Sequence, residues 1–181
     1  MLKDVIIFPT DTVYGIGASL YDTKSIEEIY SIKGRDFNKK IAVLCSSIEQ
    51  IEKFAVVTKD VYALAEAFWP GSLTLILKTN EKYFEFSGER TIGVRIPNHK
   101  KALKLINKYG PLKTTSINQS GKEPLNDYYE IKQKYGDLVK KVYNNKEEIS
   151  KVSSTVISLV DNLVLLRQGD ISLDEILKSL S

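Results

Sequence analysis

The sequence predicts an α/β fold, a single domain built on a twisted mixed β-sheet with flanking helices. Short apolar or alternating runs at residues 5–8, 13–18, 41–45, 73–77, 91–96, 152–159 and 163–166 have strand character. Segments of helical period lie among them, but without strict βαβ alternation, which favours a mixed sheet over a purely parallel one. No internal repeat, long linker or low-complexity tail interrupts the 181 residues, so residues 1–181 read as one domain.

Taken in order, the strand at 5–8 is stopped by Pro9, which lacks a backbone donor. Thr10, Asp11, Thr12 and Tyr14 then crowd polar groups beside Gly15 and Gly17, which allow close backbone approach. This is either the edge of a small-molecule site or a turn between strands 5–8 and 13–18. Asp22 or Thr23 can cap a helix striped with Ile26, Ile29, Tyr30 and Ile32, and Lys33-Gly34-Arg35 ends it. Those cations either satisfy the last carbonyls or bind phosphate. A strand at 41–45 precedes helices at 48–54 and 61–68, and Trp69-Pro70-Gly71 breaks the second, with Trp69 as a core anchor.

After the strand at 73–77, alternation at 91–96 puts Thr91, Gly93 and Arg95 on a polar face. Arg95 is a surface residue or an anion clamp. Asn98 can cap a helix at 100–109, which Gly110-Pro111 stops. Residues 112–121 end a short strand in Thr114, Thr115, Ser116, Asn118, Gln119 and Ser120, either a turn or an anion cradle. A helix spans 128–135. The strand at 152–159 carries Ser153-Ser154-Thr155, the one at 163–166 runs into Arg167-Gln168-Gly169, and Ser172 or Asp174 starts a helix to 180.

Composition narrows the function classes. Hydrophobic residues at 43% and charged residues at 27% mark an ordinary globular chain. No apolar run nears the roughly 20 residues of a membrane helix, and Met1-Leu2-Lys3-Asp4 leads into a strand without a signal-peptide hydrophobic region. The single cysteine, Cys45, excludes an internal disulfide and reads as a core residue. The expectation is a cytoplasmic protein with no membrane partner. One Cys and one His (His99) argue against a transition-metal site. A net charge of +3 is too mild to declare a nucleic-acid binder, and the lysines at 100–113 and 132–146 read first as solvated faces.

The nucleotide-binding glycine loops and the hydrolase nucleophile elbow are absent. What recurs is Lys33, Arg35, Arg95 and Arg167 near element ends, separated by hydroxyl-rich strand ends. That inventory suits a ligand carrying phosphates and a carboxylate, a nucleotide with an amino acid, handled by positioning and charge neutralisation.

Together the segments resemble the YrdC/TsaC family of threonylcarbamoyl-adenylate synthases, in its short single-domain form. The matches, in order, are Thr10-Asp11-Thr12-Val13-Tyr14-Gly15, Lys33-x-Arg35, Trp69-Pro70-Gly71 with Leu73-Thr74, Val94-Arg95-Ile96-Pro97, Ser116-x-Asn118-x-Ser120-Gly121, Ser154-Thr155-Val156 and Arg167-x-Gly169. The resemblance implies a concave basic cleft. It also implies an enzyme that converts L-threonine, bicarbonate and ATP to threonylcarbamoyl-AMP and pyrophosphate. A tRNA threonylcarbamoyl transferase complex would use the product downstream, with tRNA a further candidate partner and Mg2+ entering on ATP. It assigns catalysis to Lys33, Arg35, Ser116 and Asn118, and ATP contacts to those four with Lys39, Thr91 and Arg167. Threonine contacts fall to Thr12, Arg95, Thr114 and Ser154. The chain departs from the pattern at Asp36 and Thr115, where Pro is frequent, and at Leu44, where some members place a threonine-contacting His. The alternatives are a carbamoyl-adenylate-forming domain of hydrogenase maturation and a non-catalytic RNA-binding module.

Overall fold

The structure, a computed structural model, describes residues 4–181; Met1, Leu2 and Lys3 of the stretch read as leading into the first strand lie outside them. The period-two runs form a nine-stranded mixed sheet. Its strands are β1 Ile6–Phe8, β2 Gly15–Ser19, β3 Ala42–Leu44, β4 Leu73–Lys78, β5 Thr91–Arg95, β6 Leu112–Ser116, β7 Lys141–Val142, β8 Thr155–Ser158 and β9 Val164–Arg167. The order is β7-β1-β2-β6-β3-β5-β4-β8-β9. Pairs β1·β7, β3·β5 and β4·β8 are parallel and the rest antiparallel.

The helices are α1 Thr23–Lys33, α2 Ile48–Glu52, α3 Lys59–Phe68, α4 Glu81–Ser87, α5 Lys100–Tyr109, α6 Tyr128–Tyr135 and α7 Leu173–Ser179. Val43, Leu75, Val94 and Ile157 of the sheet pack against Ile51, Leu64, Tyr83 and Ile176 from α2, α3, α4 and α7. Ile7 and Ile16 pack against Ile29 of α1 and Ile131 of α6. Phe8 and Leu112 pack against Ala102 and Ile106 of α5. Because Ile7 and Phe8 are adjacent on β1, α5 covers the sheet face opposite α1 and α6. Each such fully buried aliphatic stabilises the fold by about 1.5–3 kcal/mol.

Several local expectations are corrected. His99, not Asn98, caps α5, its Nδ1 accepting from Ala102 N at 3.4 Å. β2 begins at Gly15 and not at Val13, because Thr10 ties the preceding residues into a turn. Ser153 and Ser154 precede β8. α4 falls in a stretch given no element from sequence; Asn80 caps its start and Gly88, at φ 69°, ends it. β7 is also unforeseen, and two residues carry no readable period. Lys113 is not part of a solvated face: it is buried and pairs with Glu89 at 2.6 Å. Cys45 is buried, and burial pushes its thiol up.

Candidate active site

Alternation along β2, β6, β3, β5 and β4 brings Gly15, Thr114, Ser116, Ala42, Leu44, Gly93, Arg95, Thr74 and Ile76 to a cleft of about 330 Å³. Small side chains hold the floor open. A Cβ on Gly15 would lie 2.7 Å from Thr114 Cγ2, and one on Gly17 would lie 2.6 Å from Thr114 Oγ1. The bare backbone of β2 therefore accommodates the Thr114 side chain. Arg35, Lys40, Arg95 and Arg167 line the cleft, and among the described residues no Asp or Glu does.

The loop after β1 is closed by one hydroxyl. Thr10 Oγ1 donates to Val13 O at 2.7 Å and accepts from the backbone of Thr12 and Val13. This places Thr12 in the cleft, where its Oγ1 accepts from Arg95 Nη1 at 2.8 Å. Arg95 Nε donates to Gly71 O at 2.8 Å, so the Trp69-Pro70-Gly71 break, with its cis Trp69–Pro70 bond, supplies an acceptor. Arg95 Nη2 pairs with Asp11 Oδ1. Arg95 is only 6% exposed; burial lowers its pKa while Asp11 opposes that shift.

Beside Arg95, Ser154 Oγ lies 2.7 Å from Thr74 Oγ1. Arg167 donates from Nε to Ser154 O at 2.9 Å and from Nη2 to Ser154 Oγ at 3.1 Å. Gly169 presses on this segment: a Cβ there would meet Ser153 O at 2.4 Å and Thr155 N at 2.5 Å. Thr155 Oγ1 accepts from Gly169 N at 2.9 Å. Arg167, an ATP-side residue by resemblance, is therefore bound to Ser154, a threonine-side residue. The two sets meet at this pair.

The other group forms at the end of α1. Gly34 adopts φ 57° and turns the chain. Lys33 Nζ donates to Ser116 O and, at 3.0 Å, to Asn118 Oδ1, which also accepts from Ser116 Oγ at 2.7 Å. Lys33 is 3% exposed, and burial, with repulsion from Arg35, lowers its pKa to about 8. Lys33 and Asn118 stand behind Ser116 and outside the cleft lining. Arg35 does line it, donating to Lys39 O at 2.9 Å and Lys40 O at 3.2 Å. Lys39 is exposed and outside the lining, whereas its neighbour Lys40 is within it. Thr91 and Leu44 also line the cleft, the latter presenting an apolar surface.

Sequence reasoning left Asp11 and Tyr14 without roles. Tyr14 is a core residue, its buried hydroxyl without a hydrogen-bond partner among the described residues and pushed up to about 12 chiefly by burial. Asp11 is different, because it is the counter-ion of Arg95. The lone carboxylate in the Thr-Asp-Thr run was the available signal, but nothing local linked it to a residue 84 positions away.

The family model for Sua5/YciO/YrdC, described as telomere recombination, matches residues 3–169. The chain belongs to the Sua5/YciO/YrdC family. It is 35% identical over 179 residues to a threonylcarbamoyl-AMP synthase of Pyrococcus abyssi, covering 96% of this chain and 53% of that protein. It is 33% identical over 180 residues to a threonylcarbamoyl-AMP synthase of Bacillus subtilis, covering 96% and 52%. The crystal structure of P. abyssi Sua5 complexed with L-threonine superposes with a TM-score of 0.90 at 34% identity, covering 98% of this chain and 54% of that one. The chain spans about half the length of the curated relatives it matches. Among the described residues, no helix is long and apolar enough to cross a membrane.

Proposed function

We propose that the protein is an L-threonylcarbamoyladenylate synthase, forming threonylcarbamoyl-AMP and pyrophosphate from L-threonine, bicarbonate or CO2, and ATP, for threonylcarbamoyladenosine modification of tRNA in the cytoplasm. The observation that carries this reading is a single cleft lined by two separate groups of cations. Arg95 and Arg167 stand among the hydroxyls of Thr12, Thr74 and Ser154, and Arg35 and Lys40 stand near Ser116. The names of the relatives and the L-threonine complex of P. abyssi Sua5 support the choice of substrates.

In this reading Arg95 holds the threonine carboxylate, while Thr12, Thr114 and Ser154 orient the amino acid. The threonine amine takes up CO2 as a carbamate, whose oxygen attacks the α-phosphate of ATP, and pyrophosphate leaves. Charge builds on phosphate oxygens in that step, and Arg35 with Lys33 neutralises it. Ser116 and Asn118 keep Lys33 aimed through their shared hydrogen bonds. Thr91 and Arg167 complete the ATP contacts, with Lys40 taking the place in the cleft that the resemblance gives to Lys39. Mg2+ would enter with the triphosphate, coordinated largely by phosphate oxygens and water; among the described residues no carboxylate lines the cleft. The product passes to a tRNA threonylcarbamoyl transferase complex.

The test is pyrophosphate release by purified protein with ATP, Mg2+ and bicarbonate, with and without L-threonine. Threonine-dependent release is expected. Release driven by carbamoyl phosphate in place of threonine and bicarbonate would replace this activity with carbamoyl-adenylate formation.

A further inference from the structure

A cleft that takes an amino acid and a polyphosphate together has a sorting problem. A pair of arginines is a ready polyphosphate site, because guanidinium forks fit phosphate as well as carboxylate. Arg95 and Arg167 are such a pair, close enough that Arg167 helps to lower the pKa of Arg95. Something must keep the polyphosphate off Arg95.

We infer that Asp11 is a specificity-determining residue, which reserves Arg95 for the single carboxylate of the amino acid and turns polyphosphate away. Arg95 is held by three acceptors on three different nitrogens: Gly71 O on Nε, Thr12 Oγ1 on Nη1 and Asp11 Oδ1 on Nη2. A guanidinium has five N–H groups. Three are used, which leaves one N–H on each terminal nitrogen to donate to a carboxylate. Asp11 is not in the cleft lining, so it grips Arg95 without filling the space where a ligand would sit.

Charge makes the choice of ligand. Two arginines and one aspartate leave one net positive charge at this end of the cleft, enough for one carboxylate. A pyrophosphate group brings several negative charges within a few ångströms of the Asp11 carboxylate, where like charges repel in a partly desolvated site. Polyphosphate is thereby directed to Arg35 and Lys40. The backbone holds Asp11 in this place: Ser150 N donates to Asp11 O at 3.0 Å and Lys151 N to Thr12 O at 2.9 Å. This assignment rests on the proposed activity, because it needs both ligands to share the cleft.

The variant D11N keeps the size and an acceptor oxygen but removes the charge. Threonine affinity is measured by calorimetry on wild type and D11N, with and without inorganic pyrophosphate. In wild type, pyrophosphate is expected to change threonine affinity by less than about twofold. In D11N it is expected to weaken threonine by at least about tenfold, as it occupies Arg95. D11E, which restores the charge, is expected to recover insensitivity to pyrophosphate, and D11S supplies a second uncharged side chain should D11N fail to fold. A purely structural role for Asp11 would weaken threonine in D11N equally with and without pyrophosphate, and that result overturns the inference. Pyrophosphate competition already present in wild type overturns it as well. A wild-type protein that binds no threonine in either condition sinks the proposed activity itself, and the Asp11 assignment with it.

Discussion

Lys33 gives the sharpest electrostatic prediction. Its ammonium is buried beneath Ser116 and Asn118 and has a pKa of about 8, against 10.5 for a free lysine. That difference corresponds to about 3 kcal/mol favouring the neutral form in the ligand-free fold. The folded pKa lies below the unfolded one, so the unfolded chain binds more protons between about pH 8 and 10.5. Stability of the ligand-free protein therefore rises with pH across that window, and the penalty is fully present below it. A polyphosphate at Arg35 and Lys40, in front of Ser116, favours the charged form of Lys33 and lifts its pKa again. ATP binding should then draw in a proton, about 0.1 per site at pH 7, about 0.5 at pH 8 and about 0.9 at pH 9. Calorimetry of Mg-ATP binding in two buffers of different ionisation enthalpy reads this uptake directly. In K33R the cation stays charged throughout, and the uptake at pH 8–9 should vanish. Uptake that fails to rise between pH 7 and 9, or that persists in K33R, refutes the reasoning.

Other substitutions test the rest of the site. Arg95→Ala should weaken threonine by about 10- to 100-fold by calorimetry, from loss of a charged hydrogen-bonding partner, and ATP by less than about threefold; equal losses would refute its place as the carboxylate clamp. Gly169→Ala places a Cβ 2.4 Å from Ser153 O and should displace Ser154, costing more than about 2 kcal/mol in urea unfolding and abolishing threonine-dependent turnover. Gly136→Ala, whose Cβ would meet only Lys132 Cγ at 3.7 Å, should leave turnover unchanged. Lys113→Ala leaves Glu89 partly buried without its ion-pair partner and should destabilise by about 3–5 kcal/mol, whereas the double change K113M/E89L should stay within about 1–2 kcal/mol of wild type.

The parts of this fold that sequence reveals are those with a local cause. The alternation of Thr91, Gly93 and Arg95 against Ile92 and Val94 is the cleft floor against the core, because a pleated strand cannot present its side chains otherwise. Gly34 after Lys33 reads as a helix end and is one, with φ 57°. Gly15 and Gly17, legible as sites of close approach, make room for Thr114. What stays hidden is what the sheet brings together across the chain. Arg95 meets Asp11, Thr12 and Gly71 through strands distant in sequence. Lys113 falls in a lysine-rich stretch, yet its partner Glu89 makes it a buried ion. His99 caps α5 although His is not a usual capping residue, and the adjacent Asn98 offered the conventional signal. Arg167 and Ser154, assigned by resemblance to different ligands, share two hydrogen bonds that no motif spacing reveals.

The most direct test of the proposed activity follows the carbon from bicarbonate. Purified protein is incubated with ATP, Mg2+, L-threonine and 13C-labelled bicarbonate, and the adenylate fraction is examined by mass spectrometry. The expected product is a threonine-containing adenylate carrying one labelled carbon, formed together with pyrophosphate and absent when threonine is omitted. An adenylate without the label, or pyrophosphate release indifferent to threonine, would contradict it.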